Sequence, residues 1–583
     1  MKRRLLPQLG ERAIAATIID GDDFKRCTVF PPCRLRRYRP ARGYHPRAPN
    51  YLPACPRSVW AARWGDIQLI APPAAIGLID NAHRAPWRRV GLVAAAISFV
   101  LCAGTLFALP QMRDIPLCCE LSSLAAAISN VVYKAPLGTA YSEVLQGFLP
   151  DNAGNWASLL QTLSKTRWAG VEPGGLLKTT ADGNGVGYVV FATAALRLFG
   201  LHLWALPALM LALMGISGIA FLRRFSSDLA SVVVLYFCSL TVMLFTPLVS
   251  HPGILGGTAP GGIRYFSLVA ILPAFHIMFD MMKISSFNIS VRNYLLLPIQ
   301  VAIFAFAVLV RGSAASLIGA IVLVWLVLAW QNRRNPHRFR LLVDKLAIMV
   351  LVPVILVGTI ALLVPRDYLT QGRFGTVVWH RVFTSLGWNP AYPFPGVSEM
   401  FDCKRYVPEG IGPGVTDRNG HCIWWDYTIR HNISETDTVN GTYGGRYETA
   451  AREAFFKIAR RYPGEVLVTF LYYKPPLILD SLRESIKMDL NAYPSFAIGL
   501  LVAALANLLL YFCSLAGQPT GNIRWVVGLT LLCAAFSIPQ LLVAWANPTT
   551  AADLFFFCVF GAGLALGTAV ATGTRLALRA IRA

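Results

Sequence analysis

Acidic side chains are scarce in this sequence, and so is charge altogether: 30 Asp and Glu with 53 Lys and Arg make up only 14% of 583 residues. A soluble globular chain carries about a quarter of its residues as charges, so that class is excluded. Metal-ligand spacings are lacking too. The 12 cysteines form no zinc-finger or redox pattern, and the 9 histidines supply no HxxxH or HExxH pair, which removes the commonest zinc enzymes. The first residues lack the short apolar core of a secretory signal. No unit of repeat length recurs, and the two halves do not mirror each other as an inverted-repeat transporter's would.

What the chain has in abundance is apolar sequence, at 55% of residues. Runs long enough to cross about 30 Å of hydrocarbon occur at Val90–Pro110, Leu201–Leu222, Leu229–Val249, Tyr265–Met282, Tyr294–Val310, Ser313–Trp330, Leu346–Val364, Phe496–Leu515, Trp525–Trp545 and Leu554–Thr574. The expectation is an all-α polytopic membrane protein of about ten spans. Basic residues mark the retained side: Arg223 and Arg224, Lys283 and Arg292, Arg333 through Lys345, Arg524, and Arg575 through Arg582. The formal charge of +23 therefore reads as a topology signal, with attraction to membrane lipids as a by-product and nucleic acid not expected as a partner. Both termini fall inside in this scheme. Residues 1–89, rich in Arg and Pro, read as a basic disordered cytoplasmic tail. A membrane domain follows over 90–364 with an outer loop at 111–187, then an outer-face segment at 365–491 and C-terminal membrane helices at 492–583.

Two stretches beyond the bilayer carry most of the candidate chemistry. The first outer loop places Asp114 just past the bilayer edge and Glu120 within two turns of it, where a carboxylate can take a proton from an attacking hydroxyl. Asp182 is flanked by Gly183, Gly185 and Gly187, which let a ligand approach the backbone. The glycine-rich loop holding His251 offers backbone N–H groups to a phosphate, although such loops are more often connectors. Arg311 sits in a tight turn between two spans at the outer face, positioned either to pair bidentately with a pyrophosphate or to reach lipid headgroups. The second stretch contains Cys403 and Cys422 on either side of a Gly/Pro-rich loop, a disulfide candidate in an oxidising compartment. It also holds His380, His421 and His431 with Asp402, Asp417, Asp426 and Glu448, which read as core or surface residues before they read as a metal site. Its amphipathic helix, RYETAAREAFFKIARR, spaces Tyr447, Ala451, Ala454, Phe455, Ile458 and Ala459 along one face, and VTFLYYKPPLILDSLRESIKM looks interfacial.

The run ADGNGVGYVVFATAALRLFG and the span after it, ending in Arg223 and Arg224, resemble the GT-C-fold membrane glycosyltransferases. In these a long first outer loop leads through an aromatic, here Tyr188, into a helix closing on "LFG". The turn LVRGSA around Arg311 is a second point of similarity, while the family's usual Pro-Pro is replaced by GNGVGY. The resemblance implies a GT-C-like fold in a bacterial-type inner membrane. It also implies an inverting transfer of sugar from a polyprenyl-phosphate donor to a lipid or cell-surface glycan, with Asp114, Asp182 and Glu120 as catalytic carboxylates. Arg311, His251 and Tyr188 would bind substrate, and a divalent cation is compatible with the scheme. Alternatives are an O-antigen-ligase-like enzyme centred on Arg405, Arg418 and His421, a transporter, which needs polar residues at the bilayer midplane, or a membrane scaffold without chemistry.

Overall fold

The computed structural model describes residues 121–135, 137–141, 176–178, 185–201, 205–225, 266–282, 291–364, 378–433, 445–480, 521–543 and 548–582, all within the unit Pro72–Ala583. These residues are almost entirely helical. Helix α1 (Leu121–Val132) leads into strand β1 (Thr139–Tyr141), which pairs antiparallel with β2 (Leu176–Lys178). The bundle continues with α2 (Gly185–Phe199), α3 (Ala205–Arg224), α4 (Leu268–Met282), α5 (Val291–Val310), α6 (Ser316–Asn332) and α7 (Pro336–Leu363). It ends with α12 (Gly521–Val543) and α13 (Pro548–Arg582). Among the described residues, three helices are long and apolar enough to cross a membrane: Gly312–Asn332, Pro336–Leu363 and Trp525–Leu542. The expected spans at 90–110, 229–249 and 496–515 lie outside the described residues, as does the tail at 1–89.

Prolines 273, 298, 353 and 539 sit inside these helices, as apolar helices tolerate when neighbours re-satisfy the freed backbone groups. Packing runs from α1 through α2 to α3 and α5, then α4 and α6, with α7 flanking α5 and α6, and α12 and α13 closing the far side. Helix α4 is buried along almost its whole length, including His276 and Asp280. Its carboxylate is met by two cations: Arg224 Nε at 2.6 Å and Lys345 Nζ at 2.9 Å. This charged cluster ties the ends of α3 and α4 to α7, where a lone buried charge would be costly. Arg223, Arg333, Arg334, Arg338 and Arg340 also belong to this end, and Arg311 follows the far end of α5.

The segment after α7 folds around a core of its own. Helix α8 (Trp379–Thr384), α9 (Asp417–Arg430) and α10 (Gly445–Arg461) pack together, enclosing Phe383, Leu386, Phe394, Phe401, Ile423, Ala451, Ala454 and Ile458. Cys403 and Cys422 are joined within this core, with their Cα atoms 5.0 Å apart. Glu448 at the start of α10 accepts hydrogen bonds from the N–H groups of Val378, Trp379 and His380 at 2.7, 2.8 and 3.1 Å. A carboxylate there satisfies donors that α8 cannot satisfy internally. Helix α11 (Pro463–Val468) runs into a π-helical turn, Thr469–Tyr473, and on to residue 480.

Candidate functional site

The site begins with a turn. Arg311 follows α5 in extended conformation and precedes a 3-10 turn, Gly312–Ala315, before α6 opens. Its N–H donates to the Ala307 carbonyl at 2.8 Å, and its carbonyl accepts from the Ala314 N–H at 3.0 Å. Although it lies in a turn between two helices, Arg311 is only 7% exposed. A guanidinium stays charged at any physiological pH, so this turn carries a fixed positive charge into its end of the bundle.

Helix α2 approaches the same end. A Cβ placed on Gly187 would stand 2.2 Å from the Leu309 carbonyl oxygen and 2.7 Å from the Val310 nitrogen, so only glycine permits this contact. The reading of the glycine run as room for a ligand therefore changes at this position: the backbone that comes close is that of α5, two residues before Arg311. Tyr188 is fully buried beside it. A row of rings crosses from α2 to α5, with Tyr188–Phe191 at 6.4 Å, Phe191–Phe266 at 4.6 Å and Phe266–Phe306 at 6.2 Å between centroids. Helix α4 also meets the 3-10 turn at its N-terminal end.

Helix α1 extends the arrangement. Near its C-terminus Asn130 Oδ1 accepts from Arg197 Nη2 at 2.8 Å, and Arg197 belongs to the last turn of α2. The helices pack on one another, and this hydrogen bond joins their C-terminal turns. Of the sequence candidates, Arg311 and Tyr188 are brought to one locus, while Asp114, Glu120, Asp182 and His251 lie outside the described residues.

The ligase-like candidates sit on the segment after α7. Arg418 pairs with Glu409. The Arg405 guanidinium lies over the Tyr406 ring, which stacks on Trp425 at 3.7 Å, and His421 is exposed on α9. His380 Nδ1 is engaged by the Tyr447 hydroxyl. Asp426 accepts from the Asp402 N–H at 2.9 Å and from Arg430 Nε at 2.8 Å. Among the described residues no group of three His, Cys, Asp or Glu could hold a metal ion.

Two features escaped the sequence. Gln300, the tenth of twenty residues in α5, is fully buried. Its Oε1 accepts from Ser217 Oγ at 2.7 Å, its Nε2 donates to the Ser217 carbonyl at 2.8 Å, and Nε2 lies 3.1 Å from His276 Nδ1. A single glutamine in an apolar run gives no periodic signal. The second is Lys474, wholly buried behind the π-turn. Its Nζ donates to Ser385 Oγ at 2.9 Å and to the Leu542 carbonyl at 2.6 Å, capping the C-terminal end of α12. Burial pushes its amine down to about 7. The signal available was a lysine amid the apolar VTFLYYKPPLIL.

No protein-family model, curated protein or solved structure matches this chain.

Proposed function

We propose that the chain is a GT-C-like membrane glycosyltransferase with about ten spans, using a polyprenyl-phosphate sugar at the outer face and a lipid or glycan as acceptor. The observation that carries this reading is the contact of Gly187 with the Leu309–Val310 backbone, which packs the start of α2 against the turn holding Arg311. Asp182 stands three residues ahead of α2, and covalent connectivity keeps its Cα within roughly 11 Å of Gly185. Glu120 directly precedes α1, which packs against α2. A carboxylate and a fixed guanidinium at one depth are what the reaction requires. The carboxylate receives the acceptor's proton as its oxygen attacks the anomeric carbon. The guanidinium offsets the negative charge that grows on the departing phosphate.

The test is donor binding and transfer measured separately, on full-length protein with a polyprenyl-phosphate hexose. Arg311→Ala should weaken donor binding at least tenfold, as loss of a charge-assisted contact does, and Asp182→Asn should slow transfer while donor still binds. Undiminished donor binding by Arg311→Ala would overturn the reading.

One observation favours a second reading, a transporter: Ser217, His276 and Gln300 form a buried polar trio at mid-span. Gln300 already uses both amide hydrogens and its oxygen within the trio, as a packing lock would. Solute flux in vesicles that vanishes in Gln300→Leu would establish transport instead.

A further inference from the structure

Helix α7 is longer than a bilayer needs. Its 28 residues extend about 42 Å at 1.5 Å per residue, against about 30 Å of hydrocarbon. The surplus is at its N-terminus, where Pro336–Lys345 reads PHRFRLLVDK; from Leu346 onward the helix has no charged residue. Together with the preceding turn, this stretch holds Arg333, Arg334, Arg338, Arg340 and Lys345 against one carboxylate, Asp344. Lys345 is taken up by Asp280. Four arginines remain, of which Arg333, Arg334 and Arg340 are exposed.

Apolar surface is exposed in the same place. Trp330, in the last turn of α6, is 67% exposed, and Phe339 and Val343, one helical turn apart on α7, are exposed as well. The Arg333 guanidinium carbon stands 3.8 Å from the centre of the Trp330 ring. Basic residues alone would be the mark of a retained loop, and an exposed tryptophan alone would belong to an interfacial belt. A guanidinium stacked on an indole is more than either, because the stacking fixes the plane in which its N–H groups are presented.

We propose that the α6–α7 turn binds the headgroup of an anionic phospholipid in the leaflet on the basic side. Trp330 and Phe339 meet the boundary of the acyl chains, and Arg333, Arg334 and Arg340 meet the phosphate, Arg333 with a fork of donors that matches it. Lipid is favoured over an acidic protein because the apolar surface belongs to two helices long and apolar enough to span. The site is independent of the glycosyl-transfer reading: α6 separates Arg333 from Arg311 by about 25 Å of helix.

The experiment is native mass spectrometry of the full-length protein, solubilised in neutral detergent with equal amounts of phosphatidylglycerol and phosphatidylcholine. The wild-type chain should retain phosphatidylglycerol preferentially. Arg333→Gln with Arg334→Gln should lower that preference roughly tenfold or more, given the attraction of each arginine near an anionic surface. Trp330→Ala keeps every charge, and therefore the orientation of the loop, yet should lower the preference by releasing Arg333; Arg333→Lys should do the same. Equal retention of the two lipids by the wild-type chain overturns the proposal and leaves an acidic protein as the partner. An unchanged preference in Trp330→Ala and Arg333→Lys also overturns it, reducing the site to diffuse charge.

Discussion

Lys474 and Arg311 are both cations withdrawn from solvent, and their chemistry separates them. An arginine cannot shed its proton, so Arg311 holds a permanent charge at the turn between α5 and α6. A lysine can. The neutral amine of Lys474 still carries two hydrogens, enough for Ser385 Oγ and the Leu542 carbonyl. Because burial lowers its folded-state value to about 7 from the ordinary 10.5, the unfolded chain binds more protons than the folded one between those values. Stability rises with pH wherever that holds, so this residue's contribution grows from about pH 7 toward 10.5 and is constant below, where both states are protonated. Thermal unfolding of the solubilised protein between pH 7 and 10 should show this rise, and Lys474→Met should flatten it. Parallel curves for the two proteins would refute the assignment.

Among the elements, the disulfide is the clearest case of a local link with a global role. Cys403 and Cys422 are essentially unexposed and lie in the same core as Phe401, Ile423 and Ala454. They fasten the Gly/Pro-rich loop 404–416 to α9. Closing a loop of this size restricts the unfolded chain, and Cys403→Ser should lower the stability of the outer segment by about 2 to 4 kcal/mol; recovery of both thiols as freely alkylated in exported protein would cancel the expectation. This pair was legible because it flanks a turn-rich stretch in an otherwise charged, aromatic segment. The face of α10 was legible for a related reason: Tyr447, Ala451, Ala454 and Ile458 recur at helical spacing and are buried as that spacing requires. Arg311 stood out as a lone charge between two apolar runs. Contacts across long sequence separations were not legible. Nothing in GNGVGY says that Gly187 meets Leu309, more than a hundred residues away, nor that Gln300 finds Ser217 and His276 rather than lipid. Asp114, Glu120, Asp182 and His251 lie outside the described residues and stay expectations drawn from sequence.

At the scale of the whole molecule, two fixed charge centres bracket the bundle. Arg224, Asp280 and Lys345 meet at one end, and Arg311 marks the other, beside the start of α4. Helix α5, with 20 residues, covers about 30 Å between these ends, which matches the hydrocarbon thickness. Charge inside that layer carries a large cost, so the two centres are expected at its two boundaries. The sense of insertion then follows from the loops. The turn at Asn335 lies between Arg334 and Arg338 and is expected on the retained side, whereas the segment carrying the disulfide has to reach an oxidising compartment to form it. Reporter fusions at Asn335 and Ala583 should therefore score as cytoplasmic, and fusions at Gln161 and Asn440 as exported. A cytoplasmic score at Asn440 would place Cys403 and Cys422 in a reducing environment and put the Arg311 end on the inner side. The donor site proposed there would then face the compartment in which soluble nucleotide sugars, not lipid-linked ones alone, compete as substrates.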